Sequence, residues 1–245
     1  LFHLLVFYMI YFLLYLQISR SLTDSEALIE AVEHFRFLPF FRNPVAGWSV
    51  EDMTPSELWF TDNPGPWEWK GPVIRTGECL YGKFFDKKAG FVFRDEFPKF
   101  AALRRALIPQ TANPKAAARE AWVLEQLSPG DPVLSLELKE LYAEEFGSVS
   151  GLETTLTRLQ MHCRVVIADF EYKRTKSGKP YGWGLARFTL PEFIAGEAAI
   201  EAAREIDLGI AEEEFVGLLC ADWPHAQEAV VRAMVTGRAI AQKFR

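Results

Sequence analysis

The chain has 245 residues, of which 49% are hydrophobic and 24% charged, with a formal net charge of −6. These fractions are typical of a folded globular protein and exclude a largely disordered chain. The length suits one large domain or two small ones. Cys79, Cys163 and Cys220 lie far apart in the sequence. This spacing excludes a close cysteine pair that would bind a zinc ion or form a disulfide of a small secreted fold. We therefore expect reduced, buried thiols and a cytoplasmic protein.

Residues 1–18 are almost entirely apolar, interrupted only by His3 and Gln17. The run is just long enough to cross a bilayer. A signal peptide would need a positive start and a small-residue cleavage site, and neither is present. A membrane anchor flanked by Arg20 is a second interpretation. We favour a third interpretation, in which residues 1–20 are an apolar leader foreign to the native protein. We expect the protein to associate with a membrane only if residues 1–18 are a genuine anchor.

Residues 21–108 are predicted to form an N-terminal α+β region. Thr23 and Glu26 have the spacing of a capping box, so we expect a helix that runs to about Phe37. Residues 39–71 are rich in proline and predict an ordered loop with one short helix near 55–59. Four large rings of this loop are expected to pack on the body of the protein: Trp48, Trp59, Trp67 and Trp69.

Residues 80–94 carry strand formers on both sides of a turn predicted at 86–90, which indicates a β-hairpin. A helix over 98–107 and a linker over 109–114 follow. Aromatic and cationic side chains alternate along the hairpin. In some proteins such rings stack on the bases of single-stranded nucleic acid while the cations bind its phosphates. We favour the simpler interpretation, in which the rings enter the core and the lysines point into water. From there Lys83, Lys87 and Lys88 are expected to contact a DNA backbone.

Charge is distributed unevenly along the chain. Residues 72–105 hold eight Lys/Arg against four Asp/Glu, and residues 154–190 hold seven against two. Residues 191–245 reverse the balance, with five basic and ten acidic residues. Neutralising phosphates with Lys and Arg supplies most non-specific affinity for nucleic acid. The distribution therefore predicts a basic surface on an acidic body.

Residues 115–190 predict a winged helix-turn-helix. Helices are expected over 115–127, from a cap at Ser135, and over 151–163, followed by strands over 164–172 and 183–189. In such proteins the third helix enters the major groove and the hairpin touches the backbone. The sequence therefore predicts duplex DNA as the partner. The expected contacts from the third helix and the wing are Thr154, Thr157, Arg158, Met161, Arg164, Lys173, Arg174, Lys176 and Lys179.

After residue 190 the chain is predicted to form an acidic helical cap over 191–245 that packs back on the body. The complete expectation is an α+β protein with an aromatic-rich hairpin region, a central winged helix and this cap. The spacing of His34, His162 and His225 does not match that of metal ligands. No loop has the glycine pattern of a phosphate-binding loop. Neither a metal nor a small-molecule cofactor is expected.

Several stretches of the sequence resemble a known family. Residues 67–72 (WEWKGP), 81–85 (YGKFF), 88–91 (KAGF) and 157–161 (TRLQM) are similar to the bacterial AlkZ-related proteins, relatives of the crosslink-repair DNA glycosylases built from winged helices. The resemblance covers residues 27–190. It implies a winged-helix protein of DNA repair.

The resemblance also implies a catalytic motif, Gln-x-Gln or Gln-x-Asp in the glycosylases, and Gln160-Met161-His162 is the nearest match here. On a continuous helix Gln160 and His162 lie about 200° apart, so they converge only if the helix ends at Gln160. A glutamine can position a water or a base edge but cannot act as a general base. Three functions stay open: a DNA-binding repair protein, a glycosylase, and a non-catalytic transcriptional regulator or protein-interaction module on the same scaffold.

Overall fold

The computed structural model describes residues 21–60, 64–174 and 180–238, and it shows an α+β protein. The described helices are α1 Ser25–Phe35, α2 Val50–Met53, α3 Pro66–Arg75, α4 Phe97–Leu107, α5 Pro114–Leu127, α6 Ser135–Phe146, α7 Leu152–Met161, α8 Glu192–Ala195, α9 Glu197–Ala202, α10 Leu208–Asp222 and α11 Glu228–Thr236. The described strands are β1 Phe37–Pro39, β2 Cys79–Phe85, β3 Lys88–Phe93, β4 Val133–Leu134, β5 Val166–Arg174 and β6 Pro180–Thr189. Short 3₁₀ helices lie at Ser56–Leu58 and Ala203–Glu205.

The strands form a six-stranded antiparallel sheet in the order β1-β3-β2-β5-β6-β4. The sheet is continuous because β2 of the first hairpin pairs with β5 of the second, where Tyr81 lies opposite Ile167. The segment expected to be a linker, 109–114, therefore connects two parts of the chain that share one sheet. The organisation into separate domains stays a prediction.

The first helix differs from its prediction at both ends. Asp24, not Thr23, caps it, because the Asp24 carboxylate accepts from the amide of Ala27 at 2.9 Å. The helix ends at Phe35, and Arg36 follows in a positive-φ conformation (65°). The chain can then turn into β1, a strand that the helical periodicity concealed.

Residues 39–71 contain more regular structure than the prolines indicated. α2 and the start of α3 lie in this stretch. Pro66 is tolerated in the first turn of α3, where a backbone N–H has no helical partner, and the Glu68 carboxylate accepts from the amide of Gly65 at 2.9 Å. The packing of the tryptophans is confirmed: Trp48 and Trp69 are buried, while Trp59 and Trp67 pack partly buried against the core.

The predicted hairpin is confirmed, with a shorter turn. Asp86 and Lys87 alone connect β2 to β3, with φ of 48° and 64°. Two successive positive φ values are typical of the type I′ turn that matches the twist of paired strands. Tyr81, Phe84 and other rings of the hairpin are buried. Burial takes these rings away from any nucleobase, so base stacking on this hairpin is not supported.

Residues 114–189 contain the three helices and the hairpin that the sequence predicted. The third helix, α7, ends at Met161, and Cys163 follows at a φ of 53°. Ser135 is the first residue of α6 and not its cap, since Leu134 occupies that position without a side-chain hydrogen bond. Leu134 belongs to β4, which pairs with β6 and was not foreseen because only two residues form it.

The helices after residue 190 pack on the first part of the chain. Phe215 of α10 lies 4.8 Å from Phe37, measured between ring centroids, and Trp223 lies 5.5 Å from Trp48. The fully buried Arg104 of α4 donates to the carbonyls of Phe84 at 2.6 Å and Met234 at 2.7 Å. Over the described ranges, no helix is both long and apolar enough to cross a membrane.

Candidate nucleic-acid interface

A groove runs between α7, the β2–β3 turn and the segment that connects α4 to α5. Its volume is about 750 Å³. We call it the α7 groove, and it is lined by Lys83, Lys87, Ile108, Pro109, Gln110, Thr111, Glu153, Thr154, Thr157, Arg158, Met161 and His162. Cations of the first hairpin thus meet the polar side of the third helix in one place.

Lys83 of β2 reaches across the groove to α7. Its Nζ donates to the hydroxyl of Thr157 at 3.2 Å and lies 3.7 Å from a carboxylate oxygen of Glu153. The Glu153 side chain is 81% exposed, so this ion pair contributes little to stability. The ammonium of Lys83 is therefore held at the groove by weak contacts that an anionic ligand can replace.

The turn at Lys87 is fixed against the end of α7. The backbone amide of Lys87 donates to the sulfur of Met161 at 3.3 Å. This contact uses only the backbone amide of Lys87. The Lys87 side chain, with its ammonium group, stays exposed at the turn. The positive φ at Lys87 belongs to the turn, so the sheet itself places this cation at the groove.

Arg158 is held by a carboxylate of the neighbouring helix. Its Nε lies 2.9 Å from Oε1 of Glu120 on α5, and both side chains are largely buried. Thr154 is exposed one turn earlier on α7. Of the predicted face of the helix, Thr154, Thr157 and Met161 line the groove with Arg158, but the charge of Arg158 is already balanced by Glu120.

Gln160 and His162 face different cavities. Gln160 is buried (1% exposed), and its amide accepts from the backbone of Lys83 at 3.1 Å and donates to the carbonyl of Leu156 at 3.0 Å. It lines a second cavity, between α6, α7 and the sheet, while His162 lines the α7 groove. The helix continues past Gln160, so the condition for their convergence is not met. Their catalytic role stays a prediction.

Burial and positive surroundings keep His162 neutral. Loss of water contact, followed by the charges of Arg158, Arg164 and Arg104, lowers the pKa of His162 to about 4. Each of these cations lies close enough to disfavour a further positive charge. At neutral pH His162 therefore adds no positive charge to the α7 groove.

Two of the predicted DNA contacts, Lys88 and Arg164, lie away from the α7 groove. Lys88 follows Lys87 directly but points to the other side, where its Nζ donates to the carbonyl of Arg42 at 3.1 Å. Arg164 lines a separate cavity with Arg105 and Arg204. Lys139, which the sequence did not single out, lines the cavity that contains Gln160.

The ends of β5 and β6 that flank the predicted wing lie at the opposite end of the sheet from the β2–β3 turn. Because β2 and β5 are antiparallel and Tyr81 faces Ile167, β5 leads away from Lys87. Lys173 and Arg174 end β5 about 23 Å beyond Ile167, from seven residues at the usual rise of a strand. Lys176 and Lys179 lie outside the described residues.

Sequence reasoning missed the contribution of residues 108–111 to the groove. Residues 109–111 were part of the predicted linker because of Pro109 and the small polar residues that follow, and Ile108 was assigned to no element. Their side chains nonetheless line the groove opposite α7. No local signal distinguishes such a segment from a flexible connection, since its position depends on where α5 packs.

The fold and the groove define this chain as an α+β protein with a cationic groove beside a helix. A family model described as AlkZ related matches residues 22–236. The chain therefore belongs to the AlkZ-related family, as the short sequence stretches indicated. Neither the curated proteins nor the solved structures that were searched gave a match. Within the described residues, no three His, Cys, Asp or Glu side chains are grouped to hold a metal ion.

Proposed function

We propose that this protein binds duplex DNA through the α7 groove and acts in DNA repair, in line with its membership of the AlkZ-related family. The observation that carries the proposal is the meeting of Lys83 and Lys87 with the polar side of α7 in one cavity. These lysines come from a hairpin about 70 residues before the helix in the sequence. Their convergence provides cations beside a helix that can enter a groove of DNA.

The order of the elements supports a winged-helix interpretation of residues 114–189. Three helices are separated by the short strand β4 and a turn, and an antiparallel hairpin follows whose second strand pairs with β4. In this interpretation α7 is the recognition helix, with Thr154 exposed and Thr157 half-buried toward the ligand. Lys83 and Lys87 would hold the phosphates of the strand that flanks α7.

The separation of the two cationic regions sets the length of DNA. The turn at Lys87 lies about 20 Å from Tyr81 along β2, and the end of β5 lies about as far from Ile167 in the opposite direction. The combined distance of about 43 Å is longer than one turn of B-DNA, which is about 34 Å. A duplex of a full turn or more is needed to contact the groove and the wing together.

Lys87 and Lys88 provide a matched pair of variants for the test. Both are on the same hairpin, and Lys87→Gln and Lys88→Gln change the net charge equally, but only Lys87 lines the groove. We expect Lys87→Gln to weaken binding of a 20-base-pair duplex by about fivefold at 0.1 M salt, with a near-native affinity for Lys88→Gln. Fluorescence anisotropy measures both. Equal losses in the two variants would show a non-specific charge effect and contradict the proposal.

A further inference from the structure

A second cationic cavity lies where α4, α5, Arg164 and the helices after residue 190 meet. Its volume is about 520 Å³. We call it the arginine pocket, and it is lined by Ala102, Arg105, Ala106, Leu124, Arg164, Leu190, Glu192, Ile200, Arg204 and Leu208. Three arginines thus face one cavity together with a single carboxylate.

The carboxylates near the arginine pocket do not balance its charge. Arg105 pairs with Glu192 at 2.9 Å, and Arg204 pairs with the exposed Glu201, which does not line the pocket, at 2.9 Å. Arg164 forms no ion pair with any residue that the structure describes. The Nε of Arg105 is buried and has no hydrogen-bond partner within the described chain. Arg164 therefore brings to the pocket a positive charge that no carboxylate of the described residues balances.

Like charges that converge in a partly buried place repel each other and raise the free energy of the fold. A bound oxyanion removes this cost, since guanidinium groups form strong charge-assisted hydrogen bonds to carboxylate and phosphate. The remaining lining is aliphatic, with Leu124, Leu190 and Leu208 half-buried and Ile200 buried. The lining thus combines cations with an apolar wall.

We propose that the arginine pocket binds a small organic anion, with its phosphate or carboxylate group on Arg164 and Arg105 and its apolar body against the leucines. The volume of about 520 Å³ suits a small molecule and is too small for a duplex. The pocket is distinct from the α7 groove, because the two cavities share no lining residue. This inference does not depend on DNA binding.

The test uses the whole chain and two probes that differ only in the anionic group, phenyl phosphate and benzoate. Isothermal titration calorimetry is expected to show saturable binding of at least one probe, and the probe that binds identifies the anion. Arg164→Gln should weaken that binding by about tenfold or more, the usual effect of losing a charge-assisted hydrogen bond. Lys115→Gln removes the same charge at an exposed site outside the pocket and should leave binding unchanged.

Arg204→Gln is a second variant that keeps the proposal testable, because Arg204 is 63% exposed and its loss does not threaten folding. It should weaken binding less than Arg164→Gln, since its charge is shared with Glu201. Absence of binding by both probes would overturn the proposal, as would equal affinities for wild type and Arg164→Gln. A loss of duplex binding in Arg164→Gln without any binding of the small probes would assign Arg164 to DNA and would also overturn it.

Discussion

The part of the chain before residue 108 and the unit from α5 to β6 are packed differently. The first is filled with rings, and Phe37, Trp48 and Phe84 are among its largest fully buried side chains. The second packs mainly aliphatic residues and leaves Leu136 and Val149 each 45% exposed. A large ring buries more apolar area than a leucine, so we expect the first part, the aromatic base, to contribute more to the stability of the fold. The α7 groove lies where that base meets the less buried unit.

The largest expected effect is the loss of a ring from the base. Trp48 is fully buried, packs near Phe85 and Trp223, and donates from Nε1 to the carbonyl of Phe37 at 2.7 Å. We expect Trp48→Ala to lower the free energy of unfolding by about 3–5 kcal/mol. Phe60→Ala is the control, because the Phe60 side chain is 81% exposed. If urea denaturation shows a loss below about 1 kcal/mol for Trp48→Ala, the expected contribution of the aromatic base to stability is wrong.

The second-largest expected effect is a loss of stability at low pH. It depends on His162, which lines the α7 groove at the boundary between the two parts. The folded-state pKa of His162 is lowered to about 4 from its ordinary 6.5. The unfolded chain therefore binds the proton more readily, and stability is lost as the pH falls from about 6.5 toward 4. Between pH 7 and pH 5 we expect wild type to lose roughly 2 kcal/mol more than His162→Gln.

Denaturation curves at the two pH values measure this difference. An identical pH dependence for wild type and His162→Gln would mean that His162 is protonated without cost in the folded state. The end of α7 would then be less positive than its arginines indicate.

A smaller effect is expected from releasing Arg158. Its ion pair with Glu120 at 2.9 Å balances a cation of the α7 groove. Glu120→Gln should free that charge for phosphate and strengthen duplex binding by about two- to fivefold at low salt. Glu125→Gln makes the same charge change on α5 outside the groove and is the control. Weaker binding by Glu120→Gln would show that the ion pair is needed to orient Arg158.

Much of the fold could be predicted from local patterns, and the failures have local causes. The β2–β3 hairpin and α5 to α7 were predicted because periodicity and turn residues agree there. β1 was missed because the first helix was predicted to run to Phe37 and to be stopped by Pro39, whereas the positive φ of Arg36 ends it earlier. α3 was missed because Pro66 and Pro72 indicated a loop, although the first turn of a helix accepts proline.

The candidate site could be predicted only in part. The apolar stripe of α7 predicted which side of this helix is exposed. The sequence did not predict how far α7 lies from the other segments that line the groove. Arg164 was assigned to the DNA surface because it follows α7, and the structure places it in the arginine pocket. Lys87 and Lys88 are adjacent in sequence and chemically alike, yet the two-residue turn places only Lys87 on the groove. Such differences depend on tertiary packing, which a single sequence does not reveal.

The salt dependence of duplex binding tests the central claim most directly. Each phosphate contact contributes about 0.9 to the slope of log affinity against log salt. Loss of both groove lysines in Lys83→Gln/Lys87→Gln should therefore make the slope shallower by about 1.8, whereas Lys88→Gln should leave it unchanged. A double variant with the wild-type slope would contradict the assignment of the α7 groove to DNA.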